Sequence, residues 1–189
     1  MALPHPDHDT RIGWEDFLRF QAAYDGAERI CWDQGRIVMA MTGGTERHDL
    51  TAAAIYDRLR AVYRGRPCNT FMHNRQIKTV RRSYYPDVMV RCGTPAHSLF
   101  EDDARFIVEV ISPSNTPGSR TEMLFDYQTV ASIETIVFIE TRQRAVTIHH
   151  KVGDGWTERG TRNGTFALGE VTIDMDGVWA DVDDVASFD

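Results

Sequence analysis

Apolar and polar residues alternate with a helical repeat in two segments near the start of the chain. Apolar side chains recur at three- and four-residue steps over residues 14–24 and again over 46–63, and each segment is predicted to form a helix. Between them, the runs RICW and RIVMAM surround the turn Asp33-Gln34-Gly35, which is typical of a β-hairpin. A helix, a hairpin and a second helix are therefore expected in this order.

The middle of the chain is rich in strand patterns. The predicted strands there are CNTFM, RQIKTV, PDVMV and RFIVEVIS. RFIVEVIS is almost continuously apolar, as expected of a central strand covered on both faces. A Ser/Asn/Gly loop and a helix over 119–130 should follow, then a hairpin formed by TIVFIE and AVTIHHK, with WTERGTR, TFAL and VTID as outer strands.

Length and composition indicate one folded domain. The chain has 189 residues, of which 26% are charged and 10% aromatic, a composition that excludes wholesale disorder. Domains commonly span ~100–200 residues, and no repeat or linker interrupts the pattern. We predict an N-terminal tail over 1–12 and a single domain over 13–189.

The sequence favours a soluble, cytoplasmic protein without a membrane partner. No segment approaches the ~20 apolar residues that a membrane span needs, and the first residues lack the apolar core of a signal peptide. The three cysteines are too few and too scattered for a disulfide framework or a four-cysteine zinc site. We therefore expect a reducing compartment.

The charge argues against indiscriminate binding of nucleic acid. The formal net charge is -7, so any contact with DNA needs a local basic face. The basic residues are almost all arginines, because Lys78 and Lys151 are the only lysines among 21 Lys and Arg residues. Few lysines are thus available for catalysis.

Two carboxylates enter apolar strands. Asp87 follows Pro86 at the start of PDVMV, where it either satisfies turn N–H groups or serves a chemical purpose. Glu109 lies inside FIVEVI, where desolvation costs several kcal/mol unless the charge pairs with an arginine or binds a metal. On neighbouring strands, the two side chains could hold a hard cation such as Mg²⁺.

The order and spacing of several motifs resemble one known family. PDVMV, IVEVISPSN and an E-x-L-x-x-Y helix, together with DQGRIVMAM, GGTERH, RGRPC and YYPDV, resemble the Uma2 family of restriction-endonuclease-like proteins, part of the PD-(D/E)xK nuclease superfamily. The likeness runs from about residue 28 to residue 150 and beyond. It implies an α/β (α+β) fold with a restriction-endonuclease-like mixed central β-sheet flanked by helices. It also implies Mg²⁺- or Mn²⁺-dependent cleavage of DNA, and commonly a homodimer.

The resemblance assigns roles residue by residue. It implies that Asp87 and Glu109 are the metal ligands, and that His48, at the start of the long helix, faces the metal site. Packing or capping by His48 is the alternative to a catalytic role. Tyr127 matches the family tyrosine and is expected to be structural.

The chain departs from the family at the lysine positions. Met123 occupies the lysine position of the helix, and Gln76 stands where relatives often carry a second lysine. A thioether cannot supply transition-state electrostatics, and losing such a group costs on the order of 10²–10³ in rate. Arg120, one turn before Met123, could restore the positive charge at a phosphate, while Lys78 is a weaker candidate.

Three functions therefore remain open from the sequence. The first is a metal-dependent endodeoxyribonuclease, impaired by the missing lysine, with Asp87, Glu109, His48 and Arg120 in its site. The second is a catalytically inactive nuclease fold kept as a binding or assembly module. The third is a metal hydrolase of small phosphoesters. The pair His149-His150 adds no metal site, because adjacent strand residues point to opposite faces.

Overall fold

The computed structural model describes residues 11–40, 44–93, 99–112, 115–183 and 185. The predicted tail over 1–12 lies almost entirely outside the described residues, as do Gly43 and the Pro113-Ser114 pair of the predicted loops.

Within these ranges the chain forms four helices and thirteen strands. The helices are α1 (Trp14–Ala23), α2 (Glu46–Tyr63), α3 (Pro117–Gln128) and α4 (Met175–Trp179). The strands are β1 (Ile30–Asp33), β2 (Arg36–Met39), β3 (Cys68–Met72), β4 (Gln76–Lys78), β5 (Ser83–Tyr84), β6 (Val88–Cys92), β7 (Phe100–Glu101), β8 (Ala104–Ile111), β9 (Thr135–Glu140), β10 (Val146–Val152), β11 (Gly155–Thr161), β12 (Thr165–Leu168) and β13 (Val171–Asp174).

Six of these strands form the central sheet, in the order β11-β10-β9-β8-β6-β3. β8 and β9 are parallel, and the other neighbours in the sheet are antiparallel. A parallel pair needs a crossover, and α3 lies in the connection between β8 and β9. The mixed central sheet flanked by helices is therefore confirmed.

Alternating side chains of β8 divide the core into two layers. Phe106, Val108 and Val110 pack into the cluster that also contains buried residues of α2 and α4. Ile107 and Ile111 pack into the cluster on the other face, with Tyr127 of α3. Burial on both faces is what the continuous apolar run predicted for this strand. Since Glu109 alternates with Ile107 and Ile111, it points toward the α3 side.

The helix boundaries follow from local capping chemistry. The Thr45 side chain accepts a hydrogen bond from the backbone N–H of His48 and so begins α2. Thr116 caps α3 in the same way, and Pro117 occupies its first turn. α2 spans the predicted range, and α3 begins two residues before its predicted start.

Both predicted hairpins are present. β1 and β2 pair across a turn in which Gln34 and Gly35 have φ of 49° and 94°. Positive φ at both central residues is the requirement of a type I′ turn, which matches the twist of the strands. β9 and β10 pair antiparallel, as TIVFIE and AVTIHHK predicted.

The cysteines differ from the expectation. Cys68 and Cys92 form a disulfide, and Cys31 is free and buried. Their separation of 24 residues made the cysteines look scattered, but the antiparallel register of β3 and β6 places these two directly opposite each other. The prediction of a reducing compartment did not anticipate this pair.

Candidate active site

A cleft of about 860 Å³ opens beside the start of β6 and the C-terminal end of β8. Three of the predicted site residues, Asp87, Glu109 and His48, line this cleft, and Met123 lines it as well. The sheet brings the two carboxylates together because β6 and β8 are neighbours, with Val88 opposite Val108.

Asp87 lies just before β6 and is held by three groups. Its Oδ2 accepts the backbone N–H of Val110 over 2.7 Å and lies 3.2 Å from His48 Nε2. Its Oδ1 lies 3.4 Å from Nε2 of His73. Burial opposes the charge, but the contacts with His48 and His73, the charge of His48 and the Val110 N–H outweigh it and lower the pKa of Asp87 to about 2. The aspartate is therefore ionised at neutral pH.

Glu109 is buried in the sheet, with 8% of its surface exposed. The Tyr127 hydroxyl donates a hydrogen bond to its Oε1, and no arginine pairs with it among the ion pairs of the described residues. Burial and the nearby charge of Asp87 raise the pKa of Glu109 well above its usual range. The arginine salt bridge considered from the sequence is not what stabilises this residue. Tyr127 orients it instead.

His48 projects from the first turn of α2. Its Nδ1 lies 3.2 Å from Asp49 Oδ1, on the side of the ring away from Asp87. Burial favours the neutral ring, but Asp87 and then Asp49 outweigh it and raise the pKa of His48. His48 thus lines the cleft beside Asp87, and its role in catalysis stays a prediction.

His73 is a site residue that the sequence reasoning missed. It follows β3 directly, and its backbone N–H donates to the carbonyl oxygen of Asp87 over 3.1 Å. Its φ is 60°, a left-handed conformation that is uncommon for a residue other than glycine. The ring stacks near that of His48, with centroids 5.9 Å apart. No sequence signal pointed to His73, because its place beside Asp87 follows from the antiparallel register of β3 and β6, in which Met72 lies opposite Val88.

Arg120 is not brought together with the other predicted site residues. Its guanidinium forms a two-pronged ion pair with Glu140, with Nη1–Oε1 at 2.5 Å and Nη2–Oε2 at 3.0 Å. It does not line the described part of the cleft. Although Arg120 is one turn from Met123, the side chain reaches toward the end of β9. Its predicted phosphate contact therefore finds no support in this position.

Comparisons with known proteins place the chain in a family. The model of the Uma2 family, described as "putative restriction endonuclease", matches residues 14–182. The chain belongs to the Uma2 family. A comparison with curated proteins finds no match.

The Uma2 assignment agrees with a solved structure of the same fold. The crystal structure of a "putative nuclease belonging to DUF820" from Anabaena variabilis superposes with a TM-score of 0.70 at 14% sequence identity. The superposition covers 89% of this chain and 98% of that one. Among the described residues, no helix has the length and apolar character to cross a membrane. Family and fold together indicate a nuclease.

The two departures from the Uma2 lysine positions have different surroundings. Met123 is half-buried on α3 and lines the cleft, so a side chain at this position reaches the site. Gln76 is fully buried, and its Nε2 donates to the Ile30 carbonyl oxygen and the Ser83 hydroxyl. The helix position therefore bears on the chemistry of the cleft, while Gln76 ties β4 to the β1 segment.

A second feature missed from the sequence is the charge network around Asp126. This fully buried carboxylate accepts hydrogen bonds from Arg81 Nε at 2.7 Å, Arg82 Nη1 at 3.1 Å and the Tyr84 hydroxyl at 2.7 Å. Arg82 also contacts Asp33 at 2.7 Å. The network fixes α3 against the strand segment before Asp87, and so supports one wall of the cleft.

Proposed function

We propose that this Uma2-family chain is a metal-dependent endodeoxyribonuclease that hydrolyses the phosphodiester bonds of DNA. The observation that carries the proposal is the pairing of Asp87 with Glu109 at an open cleft, with no arginine neutralising either carboxylate among the described ion pairs. Family membership supports nuclease chemistry, and the carboxylates supply the ligand type for Mg²⁺ or Mn²⁺.

The donor set fits a divalent cation. Burial and the charge of Asp87 favour the protonated form of Glu109, so a cation between the two carboxylates would take the place of that proton and stabilise both negative charges. When bound, such a cation supplies a bound water of lowered pKa and neutralises charge on a phosphodiester oxygen.

The chain's own residues hold the site rigid. The Val110 N–H fixes one oxygen of Asp87, and the Tyr127 hydroxyl fixes one oxygen of Glu109. His48 contacts Asp87 and faces the cleft, so its ring helps to position that carboxylate at the site. Preorganised ligands of this kind lose little freedom when a substrate enters.

One observation favours a second candidate, a nuclease fold retained as a binding or assembly module. Met123 presents an uncharged thioether to the cleft at the family lysine position, and Arg120 is committed to Glu140. A site of this kind would bind a cation and a partner without cutting DNA.

Cleavage of supercoiled plasmid DNA and of single-stranded DNA, with Mg²⁺ or Mn²⁺ present or chelated, tests the proposal. We expect metal-dependent nicking that Asp87→Ala abolishes. Asp57→Ala is the matched control, because Asp57 is exposed on α2 and does not line the cleft. Intact DNA at every salt and metal concentration would overturn the enzymatic proposal. Hydrolysis of a small chromogenic phosphodiester but not of DNA would favour a metal hydrolase of small phosphoesters.

Two further expectations remain predictions: a homodimer, which the family resemblance implies, and a cytoplasmic location, which the composition favours. A homodimer is tested by size-exclusion chromatography with light scattering. A cytoplasmic location is tested by fractionation, together with the redox state of Cys68 and Cys92 in the cell, since a reducing compartment would keep these thiols unpaired.

A further inference from the structure

The donor atoms around Asp87 include two ring nitrogens as well as carboxylate oxygens. Nε2 of His48 lies 3.2 Å from Asp87 Oδ2, and Nε2 of His73 lies 3.4 Å from Asp87 Oδ1. His48, Asp49 and His73 also offer ligand atoms that all lie within 4.8 Å of one another. Magnesium sites in proteins are built from oxygen ligands, so Mg²⁺ binding does not explain two imidazoles at this distance from Asp87.

The protein maintains His73 in this position at a conformational cost. The residue has φ of 60°, and a non-glycine residue in this region commonly persists where the surroundings require it. Its Nε2 is buried without a well-aligned hydrogen bond, although it lies close to Asp87. A nitrogen that is buried, aimed at a carboxylate and poorly hydrogen-bonded is suited to accept a metal ion.

Asp49 completes the arrangement from the other side of His48. It lies 3.2 Å from Nδ1, so a hydrogen bond there orients the ring and leaves Nε2 as the ligand atom. Carboxylate–histidine–metal arrangements of this type fix the histidine tautomer and raise its basicity.

We propose that the site holds a first-row transition cation through Nε2 of His48, Nε2 of His73 and the carboxylate of Asp87, in preference to Mg²⁺. Imidazole nitrogens favour Zn²⁺, Co²⁺ and Fe²⁺, and a set of two histidines with a carboxylate leaves open positions for water or substrate. Metal binding is measured without DNA and so does not depend on the proposed function. Only the role of the ion in DNA cleavage rests on the proposed function.

Calorimetric titration of the full chain with Mg²⁺, Mn²⁺, Co²⁺ and Zn²⁺ tests this assignment. We expect affinity to rise in the order Mn²⁺, Co²⁺, Zn²⁺, with Mg²⁺ on the order of 100-fold weaker than Zn²⁺ or more. His73→Asn should weaken the transition cations at least ~10-fold while changing Mg²⁺ less than about two-fold. Asparagine is chosen because it tolerates positive φ. His150→Gln, an exposed strand residue, is the matched control.

Electron paramagnetic resonance of the Cu²⁺-loaded protein gives a second readout. The nitrogen coupling should indicate two imidazoles in the wild type and one in His73→Asn. Equal loss of Mg²⁺ and Mn²⁺ affinity in the variant, or Mg²⁺ binding as tight as Mn²⁺ binding, would overturn the assignment. Histidine-dependent metal binding without DNA cleavage would instead defeat the proposed function and leave the assignment standing.

A separate observation concerns positive charge in the cleft. Among the described lining residues the arginines are Arg29 and Arg82, and there is no lysine. Arg82 is held by Asp33, Asp126 and Glu122. No ion pair of the described residues includes Arg29, which donates only to the neutral Asn74 side chain at 2.8 Å and stacks over the Tyr85 ring at 5.6 Å.

We infer that Arg29 binds a phosphate group of the DNA backbone, resting on the proposed function for the substrate. No carboxylate of the described part of the chain forms an ion pair with it, and its planar guanidinium matches a phosphate in two-point contact. Stacking on Tyr85 limits the motion of the side chain and so lowers the entropy lost on binding.

Fluorescence anisotropy of labelled duplex DNA, with Ca²⁺ in place of a catalytic cation, tests the role of Arg29. Arg29→Ala should weaken binding several-fold and lower the slope of log affinity against log salt by about 1. Arg60→Ala is a close control, because Arg60 also stacks on a tyrosine but lies on the exposed side of α2. Unchanged affinity and slope in Arg29→Ala would overturn the assignment. No binding by the wild type would count against the proposed function itself.

Discussion

The backbone N–H of Val110 donates a hydrogen bond to Asp87 Oδ2 over 2.7 Å, and this contact ties the segment before β6 to the strand that carries Glu109. The aspartate therefore cannot turn away toward solvent without leaving a buried N–H unpaired. The same carboxylate touches His48 and His73, so a single side chain links three segments that are distant in sequence.

Glu109→Gln separates a functional role from a structural one. Glutamine keeps the size of the side chain and can still accept the Tyr127 hydroxyl, but it cannot become a carboxylate ligand for a cation beside Asp87. We expect metal affinity to fall at least ~10-fold. The free energy of unfolding in chelator should stay within about 0.5 kcal/mol of the wild type, because glutamine resembles the protonated carboxyl that burial favours at this position.

Titration calorimetry and urea unfolding in chelator measure the two effects. Glu158→Gln serves as control, because Glu158 is exposed on β11. A loss of more than about 2 kcal/mol in stability, with metal affinity intact, would make Glu109 a structural residue.

Met123→Lys should restore positive charge to the cleft. Position 123 lines the site, and a family-type lysine there would stabilise the charge that develops on the phosphate. We expect cleavage of plasmid DNA to become faster by about 10². Met123→Leu, which changes shape but not charge, should leave the rate unchanged. No gain in Met123→Lys would favour the binding-module candidate.

Asp126→Ala should unfold the protein more readily. The substitution leaves Arg81, Arg82 and the Tyr84 hydroxyl without their buried acceptor. Removing one partner of a buried charge pair costs about 3–5 kcal/mol, and urea unfolding should detect a loss of this size. The exposed Asp57→Ala should shift stability by less than about 0.5 kcal/mol. A loss below about 1 kcal/mol in Asp126→Ala would contradict a supporting role for the network.

His149 should make the fold less stable in acid. The ring is 5% exposed and packs edge-on against Phe138 at 5.7 Å. Burial lowers the pKa of His149 below its usual 6.5, and the charge of Glu158 offsets only part of that effect. Between the lowered pKa and 6.5, the unfolded chain binds more protons, so the free energy of unfolding falls as the pH drops below 6.5, by at most ~1.4 kcal/mol per pH unit.

Unfolding by urea between pH 5 and 8 measures this slope. His149→Gln should flatten the dependence in this window, whatever its effect on absolute stability. His150→Gln, the exposed neighbour, should retain it. An unchanged slope in His149→Gln would assign the acid sensitivity to another group.

Much of the fold was predictable because it depends on neighbours in sequence. The apolar repeat and the Thr45 cap delimit α2, and the continuous apolar run identifies β8 as a central strand. Elements without a repeat were missed. β5 and β7 have two residues each, and α4 has five, too few to show a period.

The same distinction between local and long-range features applies to the residues of the candidate site. Asp87 and Glu109 could be recognised from the sequence because a carboxylate entering or interrupting an apolar strand is costly without a partner or a purpose. His73 stands in an ordinary polar stretch and gains its meaning only from the register of β3 against β6. The side chain of Arg120 could likewise have reached the cleft or Glu140, and only the packing of α3 against the end of β9 decided between them.

Sequence by itself thus determined the order of the longer helices and strands, the family to which the motifs belong, and the two acidic residues of the candidate site. Tertiary structure decided which groups contact those two carboxyl groups: two histidine side chains, a tyrosine side chain and a backbone N–H. It also paired Cys68 with Cys92 and, among the residues that the structure describes, left Arg29 without a carboxylate partner. The physical reason is that local periodicity and desolvation cost are properties of short segments, whereas contacts between distant segments depend on strand register and rotamer choice, which are established when the sheet assembles.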